Sequence, residues 1–555
     1  MNEAPGAEEL FFLPLGGTGE IGMNLNLYGH AGAWLMVDLG VTFAGPNSAG
    51  VDVLMPDPAF IEERRDALAG LVLTHAHEDH IGAVGHLWPR LRCPVYATAF
   101  TASMVMPKLI EAGLADELEI IEVPMSGRFT VGPFEIELIT LTHSIPEPNA
   151  LVIRPAAGTV LHTGDWKLDP DPLVGDNYDE AALRKLAEEE DVLAMVCDST
   201  NALVDGDSGS EAEVRESLME LVGGLENRVA IACFASNVAR VETAAKVAQA
   251  HGRRLALIGR SMHRIYAAAR DNGYLTDLPP LVAESDVGFL PRGEVLLLCT
   301  GSQGEPRSAL WRIANDENPQ VTLEEGDAAI FSSRIIPGND TAIFKLQNHL
   351  VRKGVEVITD DDHFIHVSGH PAREELVQMY QWVRPRIAVP VHGEARHLAE
   401  HARLAQTCQV PEQIVGENGT LIRLAPGPAE IVDHVPTGRL ALDGNRLLPV
   451  DSHVLRARRR MSYNGAATVT LVVGADNLFQ GLPIVTAQGL LDGEDEADKL
   501  ALIAEGVVEA LRRLPAVGRA DDGAVKEAAR IAVRRAFFRM LGRKPVTDVH
   551  LVRLS

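Results

Sequence analysis

A chain of 555 residues exceeds what a single hydrophobic core normally supports, so we expect two or three domains. Hydrophobic residues make up 46% of it and charged residues 23%, and no apolar run approaches the roughly 18 residues of a membrane span, which is typical of soluble globular proteins. The formal net charge of −27 argues against a protein that coats nucleic acid without specificity. Five widely spaced cysteines without a C-x-x-C pair, and an acidic N-terminus without a signal-peptide pattern, predict reduced thiols and a cytoplasmic location.

The first 200 residues are predicted to form many short strands and few helices. The stretch "GGTGEIG" (16–22) has the G-x-G-x-x-G spacing of a dinucleotide site, but that motif must open a helix. The residues that follow, "MNLNLYGHAGAWLMVDLG", alternate apolar and polar side chains around a Gly-rich turn and indicate a β-hairpin. We therefore interpret the glycines as a tight turn, and the strand series predicts two sheets packed face to face.

The stretch "LVLTHAHEDHIGAV" (71–84) concentrates ligand-type side chains directly after an apolar strand. If the backbone stays extended, His75 and His77 point the same way, because strand side chains repeat every two residues. Asp79 and His80 then fall in the first turn of a helix. A zincin helix is excluded because Ile81 stands where H-E-x-x-H would require histidine. Four side chains converging from one loop predict a site for two adjacent metal ions.

One loop cannot complete two metal shells, so further ligands must come from other strand ends. The candidates are His143 in "LITLTHSIPEPN", Asp165 in "TVLHTGDWKLD" and His392 in "AVPVHGEA". An aspartate between two zinc ions can bridge them while imidazoles fill the outer positions. His162, the nearest competitor of Asp165, is expected to pack inside its strand.

After about residue 205 the pattern changes to apolar strands that end in Gly/Ser loops and are followed by helices. Examples are "RVAIACFASN", "EVLLLCTGSQGEP" and "DAAIFSSRIIPGN", and they predict an open parallel α/β sheet. Its loops, at the carboxyl ends of the strands, either form a wall that binds phosphate or are simply good turns. From about residue 360 short strands return, and residues 465–555 are expected to form a small separate domain.

Two segments are locally basic. Residues 511–555 hold eleven Lys and Arg against four Asp and Glu, and "VLRARRRMSYNG" (454–465) is a second basic stretch. Solvated helix faces and contact with nucleic acid are both compatible with this pattern.

The histidine and aspartate pattern closely resembles the signature of the metallo-β-lactamase superfamily. The resemblance implies an αββα sandwich with two Zn²⁺ per subunit, for which Mn²⁺ or Mg²⁺ are alternatives. In that family's arrangement, one ion is held by His75, His77 and His143, the other by Asp79, His80 and His392, with Asp165 as the bridge and Asp38 of "MVDLG" behind the ligand loop.

The long parallel region between Asp165 and His392 resembles the domain inserted in the β-CASP branch of the superfamily, which acts on nucleic acids. That resemblance implies that Asp198 in "MVCDSTN" holds His370 in "HVSGH", and that His370 protonates the leaving oxygen as a general acid. RNA-acting members of that branch carry histidine at the position of His392 and DNA-acting members typically valine, so the resemblance implies RNA as substrate. Asp79, Asp198 and His370 are the predicted catalytic residues.

Within that branch the chain resembles the bacterial ribonuclease J family almost from end to end, through "GGTGEIGMN", "THAHEDHIGA", "CDSTN", "TGSQGEP", "SSRIIPGN", "HVSGH" and "PVHGE". The resemblance implies 5′-to-3′ exonuclease and endonuclease activity in mRNA decay and rRNA maturation. It also implies a cytoplasmic homodimer or homotetramer that acts on single-stranded RNA with other RNA-degradation proteins. A preference for a 5′-monophosphate needs a pocket, for which the candidates are Ser236, Asn237, His366, Ser368, Gly369 and His370.

The acidic total charge requires a narrow basic channel if RNA is bound, since phosphate contacts usually supply most of the affinity. The lining candidates, which stand beside the strand-end loops, are Arg240, Arg260, Arg264 and Arg334. The predicted domains are a metallo-β-lactamase domain (1–205 and 360–430), an inserted β-CASP domain (206–359), a linker (431–464) and a C-terminal domain (465–555).

Two other functions use the same features. A small-molecule metallohydrolase, such as a thioesterase or lactonase, needs the metal centre but neither the inserted domain nor the pair of Asp198 and His370. An RNA-binding scaffold with little catalysis predicts loss of ligands, whereas all seven are present in this sequence.

Overall fold

The computed structural model describes residues 5–45, 48 and 50–554. The chain divides into two compact units, one formed by Met1–Thr42 and Met55–Gly438, the other by Phe43–Leu54 and Arg439–Ser555. In the part of the chain that is described, no helix has both the length and the apolar character required to cross a membrane.

Two twisted sheets form the body of the first unit. Across the eight-stranded sheet the order is Glu430–His434, Thr420–Ala425, Leu10–Gly16, Leu25–His30, Ala33–Val37, Leu68–Val72, Val95–Ala97 and Ile120–Glu122. Across the seven-stranded sheet it is Arg128–Val131, Phe134–Thr140, Asn149–Arg154, Thr159–His162, Val192–Asp198, Ile387–Val391 and Glu412–Gln413. Apolar side chains of both sheets, such as Phe12, Leu35, Ile136 and Val196, form one core between them.

Helices cover the sheets on their outer faces. Leu183 of helix Glu180–Glu189 and Leu376 of helix Arg373–Val383 pack with Leu161 and Met195 of the seven-stranded sheet. The remaining helices of this part are Ala59–Glu62, Glu78–Ile81, Val84–Leu91, Ala99–Ala112 and Ala395–Thr407, with the 3-10 turn Arg65–Ala67. The predicted αββα sandwich is confirmed.

The inserted part is a five-stranded, wholly parallel sheet. Its order is Arg254–Ile258, Val295–Cys299, Val229–Ala232, Ala328–Phe331 and Glu356–Ile358. The helices are Glu211–Gly223, Val238–Ala250, Arg260–Asp271, Ala309–Ala314 and Asp340–Arg352, with 3-10 turns Glu284–Phe289 and Arg292–Glu294. The strands consist almost entirely of buried Val, Ile, Leu and Ala, as a parallel sheet covered on both faces requires. The predicted parallel-sheet insertion is confirmed.

The second unit contains two small sheets. The three-stranded sheet has the order Ile484–Gln488, Ala466–Val473 and Val546–Arg553, and its helices are Glu496–Arg512, Ala516–Ala520 and Asp522–Leu541. Val469, Val507 and Val533 belong to the core that joins them. The other sheet has the order Arg446–Pro449, Arg439–Asp443, Val53–Pro56 and Thr42–Phe43, and helix His453–Asn464 follows it in the chain.

The segment 431–464, interpreted from the sequence as a linker, is regular structure instead. Its hairpin turns through the two residues Gly444 and Asn445, and glycine suits the first of these positions because Gly444 has a φ of +63°. The hairpin then extends its sheet with Val53–Pro56, a strand from the opposite end of the chain. A pairing between segments so far apart leaves no mark in the local sequence.

Candidate metal centre

The predicted ligands follow strands whose carboxyl ends meet at one edge of the sandwich. Strands Phe134–Thr140, Thr159–His162, Val192–Asp198 and Ile387–Val391 all run in the same direction within the seven-stranded sheet. In chain order, the side chains placed at or just after these four ends are His143, Asp165, Asp198 and His392. The loop after strand Leu68–Val72 of the other sheet supplies the remaining four, His75, His77, Asp79 and His80.

The first group joins three imidazoles to one carboxylate. His77 Nδ1 lies 3.1 Å from His75 Nε2 and 3.0 Å from His143 Nε2, and His75 Nε2 lies 3.9 Å from Asp165 Oδ2. In a tetrahedral zinc site with bonds of about 2.0–2.1 Å, neighbouring ligand atoms stand roughly 3.3 Å apart. The observed separations fit the corners of such a site.

The second group shares Asp165 with the first. His80 Nε2 lies 3.1 Å from Asp165 Oδ2 and 3.6 Å from Asp79 Oδ2. His392 Nε2 lies 3.2 Å from Asp79 Oδ2, and its Nδ1 lies 3.5 Å from Asp165 Oδ1. The carboxylate of Asp165 belongs to both groups, so it could contribute to holding a cation in either one.

Asp38 fixes the ligand loop from behind. Its carboxylate is fully buried, lies 2.7 Å from His80 Nδ1, and accepts hydrogen bonds from the backbone N–H and the hydroxyl of Thr74. Such a partner sets the ring orientation and leaves the other nitrogen for a cation. Gly40 allows the loop to lie this close, because a Cβ there would stand 1.7 Å from the carbonyl oxygen of Asp79. The motif "MVDLG" therefore supports the loop in two ways.

Burial determines the protonation of the first group. Burial lowers the pKa of His75 and of His143, and it lowers that of His77 to about 4 despite the nearby carboxylates of Asp79 and Asp165. These three imidazoles are therefore neutral at pH 7, and only a neutral imidazole offers a lone pair to a cation. The donor set suits zinc, the divalent metal for which histidine and aspartate are common ligands.

A third cluster joins the same centre. His370 Nδ1 lies 2.7 Å from Asp198 Oδ2 and 3.9 Å from Asp165 Oδ2. Burial alone would lower the pKa of His370, but the Asp198 and Asp165 carboxylates outweigh it and raise the pKa. Burial would raise the pKa of Asp198, yet the His370 imidazole holds it well below its usual range. The pair thus favours imidazolium beside carboxylate, the state that a proton donor needs.

Two residues near this pair carry no metal-ligand signal in the sequence. The Thr200 hydroxyl lies 2.7 Å from Asp198 Oδ1 and 2.9 Å from His392 Nδ1. The Asn201 amide donates to Ser368 Oγ at 2.8 Å and to the His370 carbonyl at 3.0 Å. Both belong to the "CDSTN" motif, of which only the aspartate carries a signal in the sequence.

The predicted phosphate-pocket residues lie on two turns. Ser368 Oγ accepts from the backbone N–H of His370, and the carbonyl of Gly369 contacts His143 Nδ1, so this turn adjoins the metal ligands. Burial and the Arg240 guanidinium lower the pKa of His366 to about 3, so its imidazole is neutral.

The other turn lies at the start of helix Val238–Ala250. Asn237 caps that helix: its side-chain oxygen accepts from the Arg240 N–H, and its amide donates to Glu211 Oε1 at 3.1 Å. Ser236 beside it is half-buried. The side chain of Asn237 therefore holds the turn, and Ser236 is the more accessible polar group.

Arg240 corrects the list of channel residues. Its guanidinium is fully buried, pairs with Glu211 at 3.1 Å, and donates to the carbonyls of Ser332 and Ile365 at 3.0 Å. It cannot line a channel, but it ties the 365–370 turn to the parallel sheet. The other three candidates, Arg260, Arg264 and Arg334, are exposed, although Arg264 pairs with Glu111.

Family models match four parts of the chain. A "Beta-lactamase superfamily domain" matches residues 34–184, and "Ribonuclease J, beta-CASP domain" matches 226–350. "Zn-dependent metallo-hydrolase RNA specificity domain" matches residues 354–412, and "Ribonuclease J C-terminal domain" matches 453–554.

Similar proteins extend over nearly the whole length. Ribonuclease J of Sinorhizobium meliloti is 46% identical, with 99% of this chain and 98% of the relative covered. Ribonuclease J of Mycolicibacterium smegmatis is 39% identical, with 98% and 97% covered. A crystal structure of a protein of unknown function from Enterococcus faecalis V583 shares the fold, with a TM-score of 0.52 and 17% identity over 75% of this chain and 100% of that one. By these matches, this chain belongs to the ribonuclease J family.

Proposed function

We propose that this protein shortens single-stranded RNA from its 5′ end, cuts RNA internally as well, and prefers a 5′-monophosphate. Membership of the ribonuclease J family already makes the chain an RNA-hydrolysing metalloenzyme. The observation that carries the proposal is the convergence of the two ligand groups and the Asp198–His370 pair around Asp165. Hydrolysis of a small molecule requires the two ligand groups but does not require the Asp198–His370 pair.

Two divalent cations would occupy the two groups that share Asp165, with zinc as the first choice and Mn²⁺ or Mg²⁺ as alternatives. Such a pair of ions, when bound, lowers the pKa of an attacking water and stabilises charge on the phosphate. Asp79 and Asp165 supply the negative charge that would hold cations there. Neutral His75, His77 and His143 complete the first group, and His80 and His392 complete the second.

His370 would donate the proton that the leaving oxygen needs. Its Nδ1 is held by Asp198, so the proton available to substrate is the one on Nε2. Cleavage of a phosphodiester releases a ribose 3′-oxygen, a poor leaving group unless it is protonated. Asn201 donates to the backbone carbonyl of His370 and would hold that residue in position beside the phosphodiester bond.

The 5′-monophosphate would bind beside the metal ligands, between Ser236 and the 366–370 turn. Ser332 Oγ donates to the Ile365 carbonyl at 2.6 Å, which links that turn to the strand-end loops of the parallel sheet. Ser236, Ser368 and backbone N–H groups would serve as donors, and Asn237 would hold the turn. Neutral His366 would contribute a hydrogen bond rather than a charge.

We further propose a cytoplasmic homodimer or homotetramer that acts in mRNA decay and rRNA maturation together with other RNA-degradation proteins. The basis is family membership. Native mass spectrometry of the purified chain measures the oligomeric state, and a monomer at micromolar concentration would contradict this part of the proposal.

The activity itself is tested with a 3′-labelled RNA that carries either a 5′-monophosphate or a 5′-triphosphate. The expected result is progressive loss from the monophosphorylated 5′ end, and no cleavage by an Asp79→Ala/His80→Ala control. Equal rates on the 5′-monophosphate RNA and the 5′-triphosphate RNA would refute the monophosphate preference. Metal-dependent turnover of a thioester but not of RNA would replace the proposal with the small-molecule hydrolase.

A further inference from the structure

Two helices of the second unit, together with the residues just after the second helix, carry a charge opposite to that of the whole chain. Residues 453–464 and 522–544 together hold eleven Lys and Arg against two Asp and Glu, in a protein of net charge −27. Cations concentrated in this way within an acidic protein form a local field that attracts anions. The centre described above uses none of these residues.

The outward face of helix Asp522–Leu541 mixes cations with an aromatic ring. Its inward face is formed by buried side chains that recur every four residues, Val525, Ala529, Val533 and Phe537. On the opposite face lie Arg534 and Arg535, one turn before Phe538, whose side chain is 49% exposed.

Contacts extend this face to the other basic helix. Lys544 Nζ lies over the Phe538 ring, 4.8 Å from its centroid. Arg543 donates to the carbonyl of Tyr463, the penultimate residue of helix His453–Asn464, and the Tyr463 side chain is 60% exposed. We call the resulting patch the C-terminal basic surface, formed by Tyr463, Arg534, Arg535, Phe538, Arg543 and Lys544.

We infer that the C-terminal basic surface is a second binding site for single-stranded RNA, an inference that rests on RNA being the substrate. Cations that track a phosphate backbone beside aromatic rings that accept stacked bases are the combination that single-strand binding uses. A purely electrostatic role in solubility would leave no reason for two exposed rings among the cations. Repulsion between like charges also disfavours pairing of this patch with itself in a second copy.

The test uses the full chain and a long uridine homopolymer, with chelator present to prevent cleavage, and measures affinity across a range of salt concentrations. Arg534→Gln/Arg535→Gln removes two cations of the surface, and Phe538→Ala removes a ring. Arg512→Gln/Arg513→Gln is the matched control, because it removes two exposed cations at the end of another helix of the same unit.

The arginine pair is expected to reduce the slope of log affinity against log salt by about 1.4, or about 0.7 per lost phosphate contact. Phe538→Ala is expected to weaken binding about tenfold with the slope unchanged. Affinities and slopes equal to the control would overturn the inference, as would a change in oligomeric state without loss of RNA affinity. A chain that binds RNA here yet never cleaves it would refute the proposed function and leave this inference standing.

Discussion

Replacing Asp198 by asparagine isolates the role of the Asp198–His370 pair. The carboxylate, only 1% exposed, lies 2.7 Å from His370 Nδ1, and asparagine keeps its shape without its charge. If the amide oxygen accepts from Nδ1, the neutral ring has no proton on Nε2, and if the amide N–H donates, the ring is a weak neutral acid. Either way the proton donor is lost, which typically costs 10²- to 10⁴-fold in rate, or about 2.7–5.5 kcal/mol of activation free energy.

The assay compares two substrates in single-turnover experiments. RNA has a poor leaving oxygen and depends on the donated proton, whereas bis(p-nitrophenyl) phosphate releases a stable phenolate that does not. Asp198→Asn should therefore lose 10²- to 10⁴-fold on RNA but less than about tenfold on the activated ester. Asp79→Ala, which alters the metal ligands, should lose activity on both. An equal loss on both substrates in Asp198→Asn would refute the general-acid assignment.

The general-acid role of His370 also predicts how the rate of RNA cleavage depends on pH. Since the Asp198 and Asp165 carboxylates raise the pKa of His370, the imidazolium persists to higher pH than in an ordinary histidine, and the rate falls once pH passes that raised value. In Asp198→Asn the charge that contributes most to the rise is gone, so the decline should begin at lower pH. If the rate of Asp198→Asn declined at the same pH as that of the unaltered protein, the group that loses its proton there would not be His370.

Two further changes test parts of the frame around the centre. Glu211→Gln leaves the buried Arg240 cation without its charged partner and should lower the free energy of unfolding by about 3–5 kcal/mol in a urea titration. The control Glu180→Gln removes the carboxylate of the exposed pair with Arg184 and should lower it by less than about 1 kcal/mol. Equal effects would show that Arg240 finds other compensation. Asp38→Asn should weaken zinc affinity about 10- to 100-fold in competition with a fluorescent chelator, and an unchanged affinity would remove Asp38 from the support of the ligand loop.

The candidate metal ligands were accessible to sequence reasoning because each of them stands near the end of a recognisable strand. The spacing from His75 to His80 follows from strand and helix periods, and His143, Asp165 and His392 stand where strands visibly end. The pairing of Asp198 with His370, 172 residues later, came only from family resemblance. Nothing in the local pattern of either segment indicates the other.

Arg240 shows why neighbouring residues were harder to assign. Its place in the first turn of a helix, after a strand-end loop, is the position expected of a phosphate-binding cation. The covering helix Glu211–Gly223 brings Glu211 against it and removes it from solvent. Which side of a helix is covered depends on packing between segments, as does the pairing that makes 439–449 part of a sheet.

The central claim is that the two ligand groups around Asp165 hold the cations on which RNA cleavage depends. The most direct measurement titrates zinc into metal-depleted protein while following bound metal and cleavage of a 5′-monophosphorylated RNA in the same samples. The account predicts that cleavage rises to its maximum as two ions bind per chain, and that Asp165→Ala neither binds the pair nor cleaves. Full cleavage by the metal-depleted protein, or by Asp165→Ala, would contradict it.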